Sequence, residues 1–258
     1  MNYWQKRSIS AQRNLGNKSA KEIEKQLQKY YKTTMQKTIA DFEATYDKLL
    51  ATIEEGREPT PADLYKLDKY WQMQGQLKEM LQKLGDKEAA LLSRKFTEAY
   101  KDAYHSMAMP SELAFSTIDD AMAEQMINQV WCADGKAWSS RIWENTEKLA
   151  ETLNEEMINC VVGGRKTTDL KNKLIERFNV SYSQADMLVR TEIAHIQTQA
   201  AQKRYKDAGI DMVQIWADKD ERRCDTCGKL HLKKYPAGAK VPIPAHPNCR
   251  CCIVPVIE

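Results

Sequence analysis

Residues 19–56 read SAKEIEKQLQKYYKTTMQKTIADFEATYDKLLATIEEG, and this stretch decides the fold class. Ile23, Leu27, Tyr30, Tyr31, Met35, Ile39, Phe42, Tyr46, Leu49, Leu50 and Ile53 recur at three- and four-residue steps, the period of one helical face. Ser19 with Glu22 three residues on has the form of a capping box, which places the helix start at Ser19. The run stops near Gly56, so the spacing predicts a long helix over about 19–55, roughly ten turns. A helix of that length cannot cover its own apolar stripe, and partner helices must follow.

They follow at once. Thr60-Pro61 offers a cap and a first-turn proline, and Leu64, Leu67, Tyr70, Trp71, Leu77, Met80, Leu81 and Leu84 lead to Gly85, read as a C-terminal cap. Asp86 caps a further helix through Leu91, Leu92, Phe96, Tyr100, Tyr104 and Met107, halted by Pro110. Ser111 and Glu112 restart the chain for two shorter helices through Trp131, and Asp134-Gly135 turns it. Beyond that turn, helices open near Ser139, ending at Gly163-Gly164, then at Thr168-Asp169, and at Ser183, ending near Asp207. Met212–Ala217 and Arg250–Val256 read as two strands able to pair. The expected architecture is mainly α. An N-terminal long-helix bundle occupies 1–135, and an α+β C-terminal domain occupies 136–258, with helices over 139–207 and a small β-hairpin and loop knot over 210–258.

Composition agrees with this reading. Ten glycines and eight prolines in 258 residues argue against a β-sandwich or a disordered chain. The longest apolar run, Cys251–Ile257, is broken by Pro255 and is far short of the ~20 residues a membrane helix needs, so no membrane partner is expected. Met1–Lys6 lacks the apolar core of a signal peptide, and the expected compartment is a reducing cytoplasm. The net charge of +3 is uneven: residues 1–32 hold eight Lys/Arg against two Glu. Within this basic head, Lys6, Arg7, Arg13, Lys18, Lys21 and Lys25 could contact double-stranded DNA non-specifically through its phosphates. The alternative is a solvated helix face, the commoner outcome for a lysine-rich helix.

The cysteines carry the sharpest chemistry. Cys224-Asp-Thr-Cys227 is a C-x2-C step, and after eighteen intervening residues comes His246-Pro-Asn-Cys249, followed by Cys251 and Cys252. Two paired steps separated by about 15–20 residues have the spacing of a structural zinc site. A two-residue gap lets one tight turn aim two donors at a single tetrahedron, and two such turns close it. The expected Zn²⁺ ligands are Cys224, Cys227, His246 and Cys249, with Cys251 in reserve because alternate strand positions share a face. Cys252 then points the other way, and His231 matches neither turn. Three thiolates and one imidazole leave the site at net −1, which Arg222, Arg223 and Arg250 could offset. Cys132 and Cys160 are expected on apolar helix faces, as core residues.

Read together, several segments resemble a known family. They are Trp138-Ser139-Ser140-Arg141-Ile142-Trp143, Gly163-Gly164, Val189-Arg190-Thr191-Glu192-Ile193-Ala194, Tyr205-Lys206-Asp207-Ala208-Gly209-Ile210, Trp216-Ala217-Asp218-Lys219-Asp220, the Cys224–Cys227 step, and Pro244-Ala245-His246-Pro247-Asn248-Cys249-Arg250-Cys251. In that order they resemble the phage Mu F-like minor head proteins, also called phage head morphogenesis proteins, over about residues 138–256. The resemblance implies a low-copy structural component of a tailed-phage head that acts in procapsid assembly at the portal and capsid interior. It implies the portal protein and the major capsid or scaffold protein as partners. It also implies, for some members, DNA binding or a role in DNA packaging or ejection. The expected location is the virion, at the head interior or portal vertex, with the host cytoplasm occupied during assembly.

An enzymatic reading starts from Glu192 and His195, which are i,i+3 on one helical face and could form an acid/base pair. We prefer a structural role, in which Arg190 and Glu192 anchor their helix to the cysteine–histidine knot through buried hydrogen bonds. The runner-up function is a metal-dependent nuclease or other nucleic-acid-processing enzyme. It needs a second, open metal site, for which His195 and His231 are the imidazoles considered.

Overall fold

The computed structural model describes residues 1–53, 56–107, 117–218 and 220–257. Seven helices and three strands lie among them: α1 Tyr3–Ala51, α2 Pro61–Tyr65, α3 Asp68–Ser106, α4 Asp120–Ile127, α5 Trp138–Val162, α6 Thr167–Asp207, β1 Met212–Trp216, α7 Asp225–Leu230, β2 Lys234–Pro236 and β3 Cys252–Pro255. The chain is mainly α with a small sheet near its C-terminus, as the periodicity predicts. Pro110, Ser111 and Glu112, where one helix was expected to stop and another to start, lie outside the described residues.

Three helices run longer than their local signals suggested. Helix α1 starts at Tyr3, not near Ser19, because the operative cap is Asn2. Its Oδ1 accepts from Gln5 N (2.9 Å) while Gln5 Oε1 accepts from Asn2 N (3.1 Å), a reciprocal box that leaves Ser19 and Glu22 inside the helix. Helix α3 passes through Gly85 without a break. A Cβ at that position would come within 2.5 Å of the Trp143 ring, so Gly85 makes room for an indole and is not a cap. Helix α6 likewise passes through Ser183, whose hydroxyl donates to Asn179 O (2.8 Å) within the turn. Where expected caps hold, the geometry is complete. Thr60 and Asp63 form a capping box ahead of Pro61, and α5 stops at Gly163-Gly164 with Gly164 at φ +54°.

The chain packs as two compact units that interleave along the sequence. One comprises 1–24, 91–138 and 187–258; the other comprises 25–90 and 139–186. Helices α1, α3 and α6 each supply residues to both, so packing cuts across the sequence division proposed at 135/136. The 25–90/139–186 unit is helical, with Leu27, Phe42, Leu77, Leu81, Leu153 and Leu174 buried. A polar group is buried with them. Tyr31 Oη donates to Glu88 Oε2 (3.2 Å), and Asn145 Nδ2 donates to Tyr31 Oη (3.1 Å) and to Ser181 O (3.0 Å).

The other unit contains the sheet, in the order β2-β1-β3, antiparallel throughout. The pairing expected between the two predicted strands is present, with Trp216 opposite Cys252 and Gln214 opposite Val254. Strand β2 and helix α7 were not anticipated. The β3 edge is closed by α1: Gln12 Nε2 donates to Ile253 O (2.7 Å), and Gln12 Oε1 accepts from Ile253 N (3.3 Å). One glutamine amide thus serves as a single-residue strand partner, and Gln5 adds one further bond, its Nε2 donating to Pro255 O (3.2 Å). Cys132 is half-buried in the bend after α4 and not on a helix, while Cys160 is buried on α5 as expected.

Candidate metal centre

The cysteine–histidine cluster is assembled by two tight turns against the sheet. Cys224 is the N-cap of α7, and its sulfur accepts from Cys227 N at 3.4 Å, so the helix start itself orients the first pair. The second pair sits on the 246–249 turn, closed by Cys249 N donating to His246 O (3.2 Å), with Asn248 in the left-handed region at φ +58°. His246 Nδ1 faces Pro247 O at 2.8 Å. As the donor in that bond, Nδ1 carries the ring proton and leaves the Nε2 lone pair free. Nε2 lies 3.4 Å from Cys224 Sγ and 3.2 Å from Cys227 Sγ, and Cys227 Sγ lies 3.8 Å from Cys249 Sγ.

These separations can be compared with a tetrahedral zinc sphere. Bonds of 2.3 Å to sulfur and 2.0–2.1 Å to nitrogen put neighbouring sulfurs about 3.8 Å apart and sulfur and nitrogen about 3.6 Å apart. These three distances match to within a few tenths of an ångström, whereas Cys224, Cys227, His246 and Cys249 do not all bring their donor atoms within 4.8 Å of one another. Donor atoms within 4.8 Å of one another form two triplets, Cys224/Cys227/His246 and Cys227/Cys249/Cys251, which share Cys227. The soft, sulfur-rich donor set fits a metal ion, and five donors are present where a tetrahedral ion takes four.

Electrostatics at the cluster separate the thiols. The Cys251 thiol donates to Cys249, which holds Cys249 down at about 5 and pushes Cys251 up. Burial raises Cys227 to about 12, whereas the backbone N–H of Cys227 lowers Cys224. Cys252 faces away, as expected. It is buried beside Ile9, Val254 and Trp216, and its Sγ lies 3.8 Å from Trp216 O. Of the three arginines expected to offset site charge, Arg250 forks onto Asp220 (2.7 and 2.6 Å) and approaches Asp218 (3.8 Å). Arg222 and Arg223 are exposed.

The other candidate residues are placed differently from the expectation. Arg190 pairs with Glu24 of α1 (3.0 Å), and its side chain is 41% exposed. Glu192 is buried and accepts from Trp131 Nε1 (3.0 Å). Thr191 between them reaches the ligand turn, where its Oγ1 accepts from Asn248 N (3.2 Å). Its only sequence signal was its position inside Arg190-Thr191-Glu192. His195 is buried and stacked on Trp131, with centroids 4.2 Å apart at 10°; burial, with Lys240 nearby, holds it down at about 3. His231 Nδ1 accepts from Ala217 N (3.1 Å). Lys6, Arg7, Lys18, Lys21 and Lys25 are exposed along α1, while Arg13 is half-buried and ion-paired with Asp218.

The sequence that carries these elements, from within α5 through the cysteine–histidine turns into β3, is similar to a known family. The family described as Phage Mu protein F like protein matches residues 151–254. This segment is Mu F-like. The Mu F-like segment contains all five metal-donor candidates, α6 and the sheet. A relative from Enterococcus faecalis (strain ATCC 700802 / V583), an NAD(+)–arginine ADP-ribosyltransferase called EFV, is 26% identical over 144 residues. That alignment covers 48% of this chain and 29% of the relative, so the chain spans less than a third of that protein. No solved structure matches the chain. Among the described residues, no helix is long and apolar enough to cross a membrane.

Proposed function

We propose that this chain is a minor structural protein of a tailed-phage head, acting in procapsid assembly at the portal and capsid interior. The observation that carries the reading is the coincidence of the Mu F-like segment with two cysteine–histidine donor triplets that share Cys227. Cys224, Cys227, His246 and Cys249 hold a structural Zn²⁺, with Cys251 as the spare donor. A four-ligand site of this kind has no open position for water or substrate, so the ion staples the knot and does not run a reaction. The partners are the portal protein and the capsid or scaffold protein. The exposed Lys6, Arg7, Lys18, Lys21 and Lys25 supply salt-sensitive DNA contact during packaging or ejection, with Arg13 committed to Asp218.

The nuclease alternative has less support. The two imidazoles considered for it are engaged elsewhere, His195 against Trp131 and His231 with Ala217 N. The E. faecalis relative carries an enzymatic name, but the alignment spans only 29% of that protein, so its activity does not carry over to this chain. The test is quantitative mass spectrometry of purified particles. The structural reading predicts a reproducible low copy number per head that survives washing in high salt. A chain absent from particles but abundant in the infected-cell extract would contradict it.

A further inference from the structure

Resting on the metal reading, we propose that Thr191 is the positioning residue of the ion site, holding from α6 the turn that presents His246 and Cys249. Three observations carry this. Asn248 lies between the two ligands and adopts φ +58°, a left-handed turn conformation that asparagine tolerates better than most L-residues and that sets the direction in which the two ligands leave the turn. Its N–H is held by Thr191 Oγ1 at 3.2 Å, the bond that links the 41-residue helix to this turn. The hydroxyl has one proton, and that proton is committed to Met187 O at 2.7 Å, so its lone pairs remain to accept the Asn248 N–H.

The consequence follows from the geometry of the turn. Rotating the backbone at Asn248 changes the placement of His246 relative to Cys249, because the two ligands flank it. Without the Thr191 bond, the turn samples conformations in which one donor is displaced, and the ion must then order the turn as it binds. Partners that orient metal ligands in this way affect retention by roughly 10–100-fold when removed. Thr191 touches no donor atom itself; it acts through the backbone of Asn248.

The experiment uses the full chain loaded with Zn²⁺ and a competing chromophoric chelator, with Co²⁺ substitution as a spectroscopic check. Thr191→Val keeps the shape and removes the hydroxyl, whereas Thr191→Ser keeps the hydroxyl. Thr198→Val serves as the matched control. Thr198 is buried on the same helix, and its hydroxyl donates to Ala194 O (2.9 Å) in the same back-bonded manner. Thr191→Val is expected to bind Zn²⁺ about tenfold more weakly or worse and to alter the cobalt–thiolate absorption, with Ser restoring affinity to within about threefold. Thr198→Val should retain wild-type affinity and spectrum. Wild-type affinity in Thr191→Val, or an equal loss in Thr198→Val, would overturn the proposal while leaving the metal reading intact. A wild-type chain that takes up no ion would remove the metal reading, and this proposal with it.

Discussion

Cys227→Ser is expected to lose stoichiometric metal and to lower the thermal midpoint by about 10 °C or more. Cys227 belongs to both donor triplets, so its loss leaves neither complete. Structural zinc contributes on the order of 10 kcal/mol where nothing else holds a small fold together. Here the knot also buries Val213, Ile215, Val241, Ile243 and Ile253 against Tyr205, so a loss of several kcal/mol is the fitting scale. At about 2–4 °C per kcal/mol for a chain of this size, that gives the stated shift. Cys252→Ser is the control, because that side chain packs on the other face of the strand. Calorimetry with metal analysis on both variants checks this; an unchanged midpoint and metal content in Cys227→Ser would contradict it.

The second large effect is electrostatic and lies in the helical unit. Glu88 is 1% exposed, accepts from Tyr31 through one oxygen, and has no hydrogen-bond partner on the other. Burial raises its pKa from 4.5 to about 7, only partly opposed by the Tyr31 hydrogen bond. The folded chain therefore holds this proton more tightly than the unfolded chain does. Its contribution to stability is fully present below about pH 4.5, falls as pH rises towards about 7, and is gone above that. The shift corresponds to roughly 3 kcal/mol. Glu88→Gln keeps the shape and cannot ionise, so it should flatten this dependence and stabilise the protein at pH 8 by about 2 kcal/mol, the remainder going to desolvation of the amide. Denaturant unfolding at pH 5 and pH 8 measures it. Parallel pH profiles for the two proteins would contradict the account.

The sequence was most legible where chemistry is local. The C-x2-C and H-x2-C steps picked out four of the five side chains that gather in the two candidate donor triplets, with Cys251 added by the alternation at 249–252, which also turned Cys252 away from them. Helical periodicity also gave the class, because apolar residues on a long helix must face something. It misplaced boundaries where a residue has two uses. Gly85 reads as a cap but clears space for Trp143, and Ser19 and Ser183 have cap chemistry but sit inside helices. Residues 3–18 were hidden for another reason: their buried face includes the polar Ser8 and Gln12, and Gln12 is polar because it meets a strand edge. Thr191, Trp131 and Gln12 act through long-range hydrogen bonds, and spacing along the chain carries no record of those.

Metal content of the full-length protein, purified under reducing conditions without affinity resins that leach metal, tests the central claim most directly. The account predicts one zinc per chain by elemental analysis, released only with loss of structure around residues 224–252. A folded chain with no bound metal, whose thiols at Cys224, Cys227 and Cys249 all react freely with alkylating agent, would contradict it.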